Sequence, residues 1–231
     1  MAVYKHLFFD LDHTLWDFER NSNETLAELY AEFDLSSRGL SSLVLFQKVF
    51  CATNLELWRL YDTDQISQAE LRHSRFRRVF STLGIHTHDC CNSLNEAYLS
   101  RCPQKGHLVA YARELLDYLA PRYKLHIITN GFDEVQTVKM TRAGLLPYFC
   151  HMTTSQNSGA KKPDPRIFTH ALQRAGASTH ESLMIGDNCE TDIAGGRAAG
   201  LDTVFYNPAR VSATENPTYT IHHLRDLVRI L

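Results

Sequence analysis

The sequence predicts an α/β protein: a Rossmann-like core built on a parallel sheet, interrupted by an all-helical insert. Three observations carry this. From about residue 106 onward, short β-rich runs alternate with helical stretches, the pattern of βαβ units. One further β-rich run stands alone at the N-terminus, separated from the others by about 85 residues of helical pattern. The length agrees: 231 residues, at roughly 150 per domain, make about one and a half domains.

The elements follow in order. Residues 3–10 are apolar, β-rich and end on a carboxylate, which suits a buried parallel strand. The insert begins near residue 17. Asn21-Ser22-Asn23 precedes Leu26, Leu29 and Tyr30 at helical spacing. Leu43, Phe46, Val49, Phe50, Leu57 and Leu60 make a second stripe. Leu71, Phe76, Val79, Phe80 and Leu83 make a third, stopped by Gly84, and 93–99 a fourth, closed by Cys102-Pro103. The alternating part then predicts a helix over about 107–120, ended by Pro121, and a strand over 124–129. Next come a helix over 133–143 closed by Gly144, a strand near 149–154, and a helix over 165–175 closed by Gly176. A strand at 182–185, a helix at 190–199 and a strand at 203–206 follow. A short apolar stretch at 218–221 and a terminal helix near 222–231 complete the chain.

Composition narrows the function classes. Aromatic residues make up 10 % of the chain, too many for a disordered one. With 24 basic and 26 acidic residues the net charge is −2, which argues against a nucleic-acid coat or a polybasic membrane anchor. No run approaches the ~20 apolar residues of a membrane span. The first ten residues are too short an apolar run for a signal peptide, so the expected location is the cytoplasm. The six cysteines show no Cys-x-x-Cys and are read as reduced thiols. His86, His88, Asp89, Cys90 and Cys91 are the tightest cluster of metal-binding residue types. They lack a second ligand pair at zinc-finger spacing and read as a polar loop with helix-start chemistry.

In open parallel sheets, ligands bind beyond the carboxyl ends of the strands. The residues there are Asp10-Leu11-Asp12-His13-Thr14, Thr129-Asn130-Gly131, Lys161-Lys162-Pro163, and Gly186-Asp187 with Asp192. Each alone is a common loop or turn sequence. Together they converge four carboxylates, two lysines, a hydroxyl and glycine-freed amides on one sheet edge. Clustered carboxylates need a cation, and oxygen-only ligands suit Mg²⁺. Threonine, backbone amides and lysine suit a phosphoryl group. An aspartate there is a plausible nucleophile, and a carboxylate two residues on could carry a proton to the leaving oxygen.

At these residues the chain resembles the haloacid dehalogenase superfamily, in the order Asp-x-Asp-x-Thr, Thr, Lys-Pro, Gly-Asp and a final Asp. The resemblance implies a core of 1–16 plus 103–231 with strand order 5-4-1-2-3, and a C1-type helical cap of 17–102. It implies that Asp10 is the nucleophile that becomes phosphorylated, and that Asp12 is general acid and then base, its carbonyl also ligating Mg²⁺. Thr129 with the Asn130 and Gly131 amides would bind phosphoryl oxygens. Lys162 rather than Lys161 would neutralise Asp10 and the phosphate. Asp187 and Asp192 would complete the metal site. Asp12 favours phosphate chemistry over dehalogenation. A finer resemblance, through Ile128 to Phe132 and Glu190 to Ile193, points to the family's pyrimidine 5′-nucleotidase-like members. The expected substrate is thus a small phosphorylated metabolite such as a nucleoside monophosphate, for a monomer or dimer. Sugar phosphates, a phosphomutase, a 2-haloacid dehalogenase and a non-catalytic binding protein stay open as alternatives.

The cap is expected to exclude water and supply leaving-group contacts. Trp16 and Phe18 could stack a base or pack the linker. Arg75 and Arg78, in the basic run Arg72–Arg78, would share a helix face, either reaching an anionic substrate or lying in solvent. His13 is assigned no catalytic role.

Overall fold

The computed structural model describes residues 4–85 and 89–231. Val3 of the first expected strand, and His86 and His88 of the His/Cys cluster, lie outside the described residues. The chain separates into two compact units, Met1–Asp17 with Gly106–Leu231, and Phe18–Lys105. The first holds the sheet and the second only helices among its described residues.

Six strands make the sheet: β1 (His6–Phe9), β2 (Lys124–Thr129), β3 (Phe149–Thr154), β4 (Ser182–Gly186), β5 (Asp202–Tyr206) and β6 (Tyr219–Ile221). They lie in the order β3-β2-β1-β4-β5-β6, and every neighbouring pair is parallel. This is the expected order, extended at one edge by the 218–221 stretch. The central β1 is buried along its whole length, which is why His-Leu-Phe-Phe shows no polar alternation. Phe9 stands in register with Ile127 on one side and Ile185 on the other. The residues following those positions therefore emerge together at one sheet edge.

The helical unit contains α1 (Phe18–Glu32), α2 (Leu43–Asp62), α3 (Gln68–His73), α4 (Arg75–Thr82) and α5 (Cys91–Arg101). The third expected stripe is two helices, because Ser74 ends one and starts the next. Ser67 and Glu70 form a capping box that starts α3. Phe50, Phe76 and Tyr98 from three helices pack ring on ring at 4.8–5.9 Å. The expectation that Arg75 and Arg78 share a face is corrected here. Arg75 is buried with Phe76, Val79 and Phe80, whereas Arg78 is exposed. At spacing i and i+4, Arg75 falls on the same inner stripe as Val79. Its guanidinium lies 5.8 Å from the Phe50 ring centroid and 5.4 Å from that of Tyr98.

Among the described residues five α-helices accompany the sheet: α6 (Ala112–Leu119), α7 (Asp133–Arg142), α8 (Ser155–Ser158), α9 (Pro165–Ala175) and α10 (Ala194–Ala198). The sequence shows why α9 forms. Asp164 caps it by accepting from the Arg166 amide at 2.9 Å, Pro165 occupies the first turn, and Gly176 ends it at φ 60°. Its inner stripe, Ile167, Phe168, Ala171 and Leu172, joins Phe8, Ile128 and Met184 in the core. Two expected helices change. The one predicted over 107–120 begins only at Ala112. Before it, the Val109 amide donates to the Leu15 carbonyl at 2.9 Å and the Asp17 amide to the His107 carbonyl at 3.1 Å. The backbone is thereby committed to pairing rather than to a helix. The terminal helix is a 3₁₀ segment over Leu224–Arg229. All six cysteines are free.

Three histidines cross adjacent strands. His126 is in register with Phe8 and His151, and its ring stacks at 4.7 Å on Phe8, 5.3 Å on His6 and 5.6 Å on His151. The His6 and His126 rings share a hydrogen bond of 3.1 Å. Burial, with His6, His151 and Lys124 adding positive charge nearby, pushes His126 down to about 3. The unfolded chain regains its proton near 6.5. Folding stability is thus whole above that value and declines as pH falls from about 6.5 toward 3. We expect His126→Phe to flatten the acid limb of urea-unfolding stability by about 1.4 kcal/mol per pH unit within that window, relative to the unchanged chain.

Candidate active site

Asp10 follows β1 directly, and its amide donates to the Ile185 carbonyl on β4 at 2.9 Å. The next residues fold back on themselves. Leu15 and Trp16 both donate to the Leu11 carbonyl, and His13 donates to that of Trp16 at 2.9 Å. His13 takes φ 63° to close this loop and is exposed. The Thr14 hydroxyl donates to Asp187 Oδ1 at 3.1 Å, tying the loops after β1 and β4 together.

Asn130 performs a similar service for Lys162. Its Oδ1 accepts from the Lys162 amide at 2.7 Å, and its Nδ2 donates to the Lys162 carbonyl at 2.9 Å. With its backbone clamped, Lys162 points its ammonium inward. It donates to Asp10 Oδ1 at 2.6 Å, Asp192 Oδ1 at 2.5 Å and the Ile128 carbonyl at 3.0 Å. All three of its protons are used. Asp192 is brought inward by a turn of π-helix, Cys189–Ile193, whose start is capped by the Asn188 side chain. Its Oδ2 accepts from the Asn188 amide at 3.0 Å. Gly186 makes room: a Cβ there would run into the Asp192 carboxylate.

Asp10, Asp187 and Asp192 each offer an oxygen within 4.8 Å of the other two. Against these three carboxylates stands one ammonium, Lys162. With all three ionised, the cluster would carry two uncompensated negative charges in a largely buried place. Burial pushes Asp10 up to about 7, with Asp192 and Asp12 adding to the rise and Lys162 opposing it. Burial likewise drives Asp187 well above the usual carboxylate range, helped by Asp10 and Asp192. Lys162 is held above its ordinary value, because the two carboxylates outweigh the burial that works against its charge. An oxygen-only donor set with this deficit fits a hard divalent cation such as Mg²⁺.

Asp12 lies in a different setting. Lys139 on α7 donates to its Oδ1 at 2.6 Å and its Oδ2 at 2.9 Å, and Gln136 donates to Oδ2 at 2.9 Å. Burial would raise its carboxyl, but Lys139, Gln136 and His13 together hold it below the usual range. The same Gln136 nitrogen donates to the Thr129 hydroxyl at 2.8 Å, and the Gly131 amide donates there at 3.1 Å. With two N–H donors on its oxygen, that hydroxyl is left to donate its own proton, which suits an anionic acceptor. A Cβ on Gly131 would collide with Gln136.

The structure thus brings Asp10, Asp187, Asp192 and Lys162 into one cluster, with Thr129 and Asp12 joined beside it through Gln136. Asp12's carboxylate is engaged by Lys139 rather than counted among the clustered metal-binding oxygens. Trp16 is fully buried with the Lys139 ammonium 4.5 Å from its ring centroid, so it packs its loop and does not stack a base. Gln136 and Lys139 escaped the sequence reading. Their signal was present: α7 turns Gln136, Lys139 and Met140 inward, and two polar residues at i and i+3 on a buried stripe are unusual.

Comparison with known proteins finds relatives along the whole chain. The model of the haloacid dehalogenase-like hydrolases matches residues 4–200. The pyrimidine 5′-nucleotidase PynA of Streptococcus pneumoniae is 35% identical over 99% of this chain and 95% of its own. The pyrimidine 5′-nucleotidase YjjG of Escherichia coli is 32% identical over 97% and 96%. The crystal structure of YfnB from Bacillus subtilis bound to magnesium superposes with a TM-score of 0.88 at 28% identity, covering 99% of both chains.

Two outcomes are expected of the carboxylate cluster. Mg²⁺ raises the thermal midpoint of the unchanged chain by mass action, and Gly186→Ala, which displaces Asp192, abolishes that rise in a fluorimetric melt. Because Asp10 and Asp187 hold protons that a cation must displace, Mg²⁺ affinity grows as pH rises from 5 toward 8; titration calorimetry showing pH-independent affinity would contradict this.

Proposed function

The chain belongs to the haloacid dehalogenase-like hydrolases, and from that premise we propose that it is a Mg²⁺-dependent phosphomonoester hydrolase acting on nucleoside 5′-monophosphates. The observation that carries the chemistry is the charge deficit at Asp10, Asp187 and Asp192, with Lys162 as their only ammonium partner among the described ion pairs. That deficit suits a divalent cation, and the Thr129 hydroxyl and nearby amides suit a phosphoryl group. The nucleotide preference rests on the two nucleotidases, which match this chain almost end to end.

In this reading Asp10, Asp187 and Asp192, with the Asp12 carbonyl, would hold Mg²⁺, which would offset the cluster's charge and draw the phosphoryl oxygens toward it. Asp10 attacks phosphorus, fixed through its Oδ1 by Lys162. Thr129 donates its free proton to a phosphoryl oxygen. Asp12, which Lys139 holds ionised in the free chain, would take up a proton as the phosphate dianion arrives beside it and give it to the departing ester oxygen as the P–O bond breaks. It then takes a proton from the water that hydrolyses the aspartyl-phosphate, returning Asp10 and releasing phosphate. Uncatalysed monoester hydrolysis is slow enough that such enzymes reach accelerations of up to ~10²¹, so loss of the nucleophile is not a partial defect.

A phosphate-release panel tests this. Nucleoside 5′-monophosphates should be hydrolysed faster than sugar phosphates, with turnover abolished by EDTA and restored by Mg²⁺. Asp10→Asn should lower kcat to background. Near-native turnover by that variant would sink the mechanism; equal rates across unrelated esters would sink only the nucleotide preference.

A further inference from the structure

We infer that Gln136 on α7 is a positioning residue for phosphoryl binding: its buried amide aims the Thr129 hydroxyl at the substrate without touching the substrate itself. The inference rests on the phosphatase reading above and adds to it the part that orients the hydroxyl.

A threonine hydroxyl turns about its C–O bond and gives its proton to whichever acceptor suits it. Thr129 ends β2, and its oxygen shares the Gln136 nitrogen with the Asp12 carboxylate, so an anionic acceptor stands close by. Left to rotate, the hydroxyl could turn toward the protein's own carboxylates instead of a ligand. Two donors prevent this. Gln136 Nε2 donates to the Thr129 oxygen at 2.8 Å and the Gly131 amide donates to it at 3.1 Å. Both of its lone pairs are thereby used, and the proton is directed away from both donors.

Gln136 holds this place at a cost to itself. It is 0% exposed, and its Oε1 has no hydrogen-bond partner. One Nε2 proton goes to Thr129 and the other to Asp12 Oδ2 at 2.9 Å. Turning the amide over gives no relief, because it would set Oε1 against the Asp12 carboxylate. A glutamine kept only for packing is expected to satisfy both ends, since a buried acceptor without a donor is destabilising. A residue kept only to fill space would be apolar, as Met140 is one turn further along the same buried stripe. Gly131 belongs to the same device: a Cβ there would collide with Gln136 Nε2, so only glycine lets the amide close on Thr129.

The experiment is a double-mutant cycle read as binding. Orthovanadate, a phosphate mimic, is titrated calorimetrically into the full chain in the presence of Mg²⁺. Thr129→Val should weaken its binding about 10- to 100-fold, and Gln136→Leu about tenfold. Gln136→Leu combined with Thr129→Val should bind within about twofold of Thr129→Val alone, because no hydroxyl is left to orient. Losses that multiply in the double variant show that Gln136 acts otherwise than through Thr129 and overturn the inference. Binding by Gln136→Leu equal to that of the unchanged chain overturns it too. Gln136→Met, which keeps the side chain's length, carries the same cycle if Gln136→Leu fails to fold. An unchanged chain that binds no orthovanadate would instead overturn the phosphatase reading.

Discussion

The site depends on one buried ammonium. Lys162 gives its three protons to Asp10, Asp192 and the Ile128 carbonyl, and so joins the loop after β1, the turn after β4 and the end of β2. Taking an ammonium out of water costs several kcal/mol, and only close opposite charges with full hydrogen bonding offset that. Each neighbouring feature serves this requirement. Asn130 clamps the backbone of Lys162 from both sides, Gly186 leaves space for Asp192, and the parallel sheet delivers all three segments to one edge. With its three carboxylates ionised the arrangement would be two positive charges short of neutrality, and that shortfall suits it to a cation.

Much of this was legible in the sequence because strand ends advertise themselves. A β-rich run that stops on Asp10, on Thr129-Asn130-Gly131 or on Gly186-Asp187 marks both the strand and the chemistry beyond it. Gln136 and Lys139 were illegible by the same logic, since they lie inside a helix, where polar residues are ordinarily read as the solvent face. Only burial separates the inner pair from the outer Asp133, Glu134 and Thr137. The Arg75 error had a similar source. An arginine in a basic run reads as surface, yet it sits on the Phe50 and Tyr98 rings, whose faces attract a cation and whose bulk excludes water. The late start of α6 was hidden because pairing of 107–109 with 15–17 is a tertiary choice that local propensity does not record.

The sheet tolerates polar groups in two ways, and the contrast explains where function resides. In the row of His6, His126 and His151 the rings stack, His6 and His126 share a hydrogen bond, and burial pushes those two below the ordinary imidazole range, so that burial is met by giving up charge. At the carboxyl edge the groups keep charge and are met by counter-charge. The first solution makes an inert core layer. The second leaves an unbalanced field at the surface end of the strands, where a charged ligand can be received.

Asp10 and Asp12 are two residues apart, yet the fold gives them opposite electrostatic settings. Asp10 shares its space with two carboxylates and one lysine; Asp12 has a lysine to itself. Environments that push paired carboxyls apart are how a site assigns them different tasks. In the proposed mechanism a divalent charge beside Asp10 would bring its carboxyl back toward the ionised form that a nucleophile requires. Asp12, whose carboxylate faces Lys139 on α7 instead, would be raised by the phosphate dianion of a bound substrate. The separation of the two lysines, one on the loop before α9 and one within α7, is thus what permits adjacent aspartates to be tuned independently.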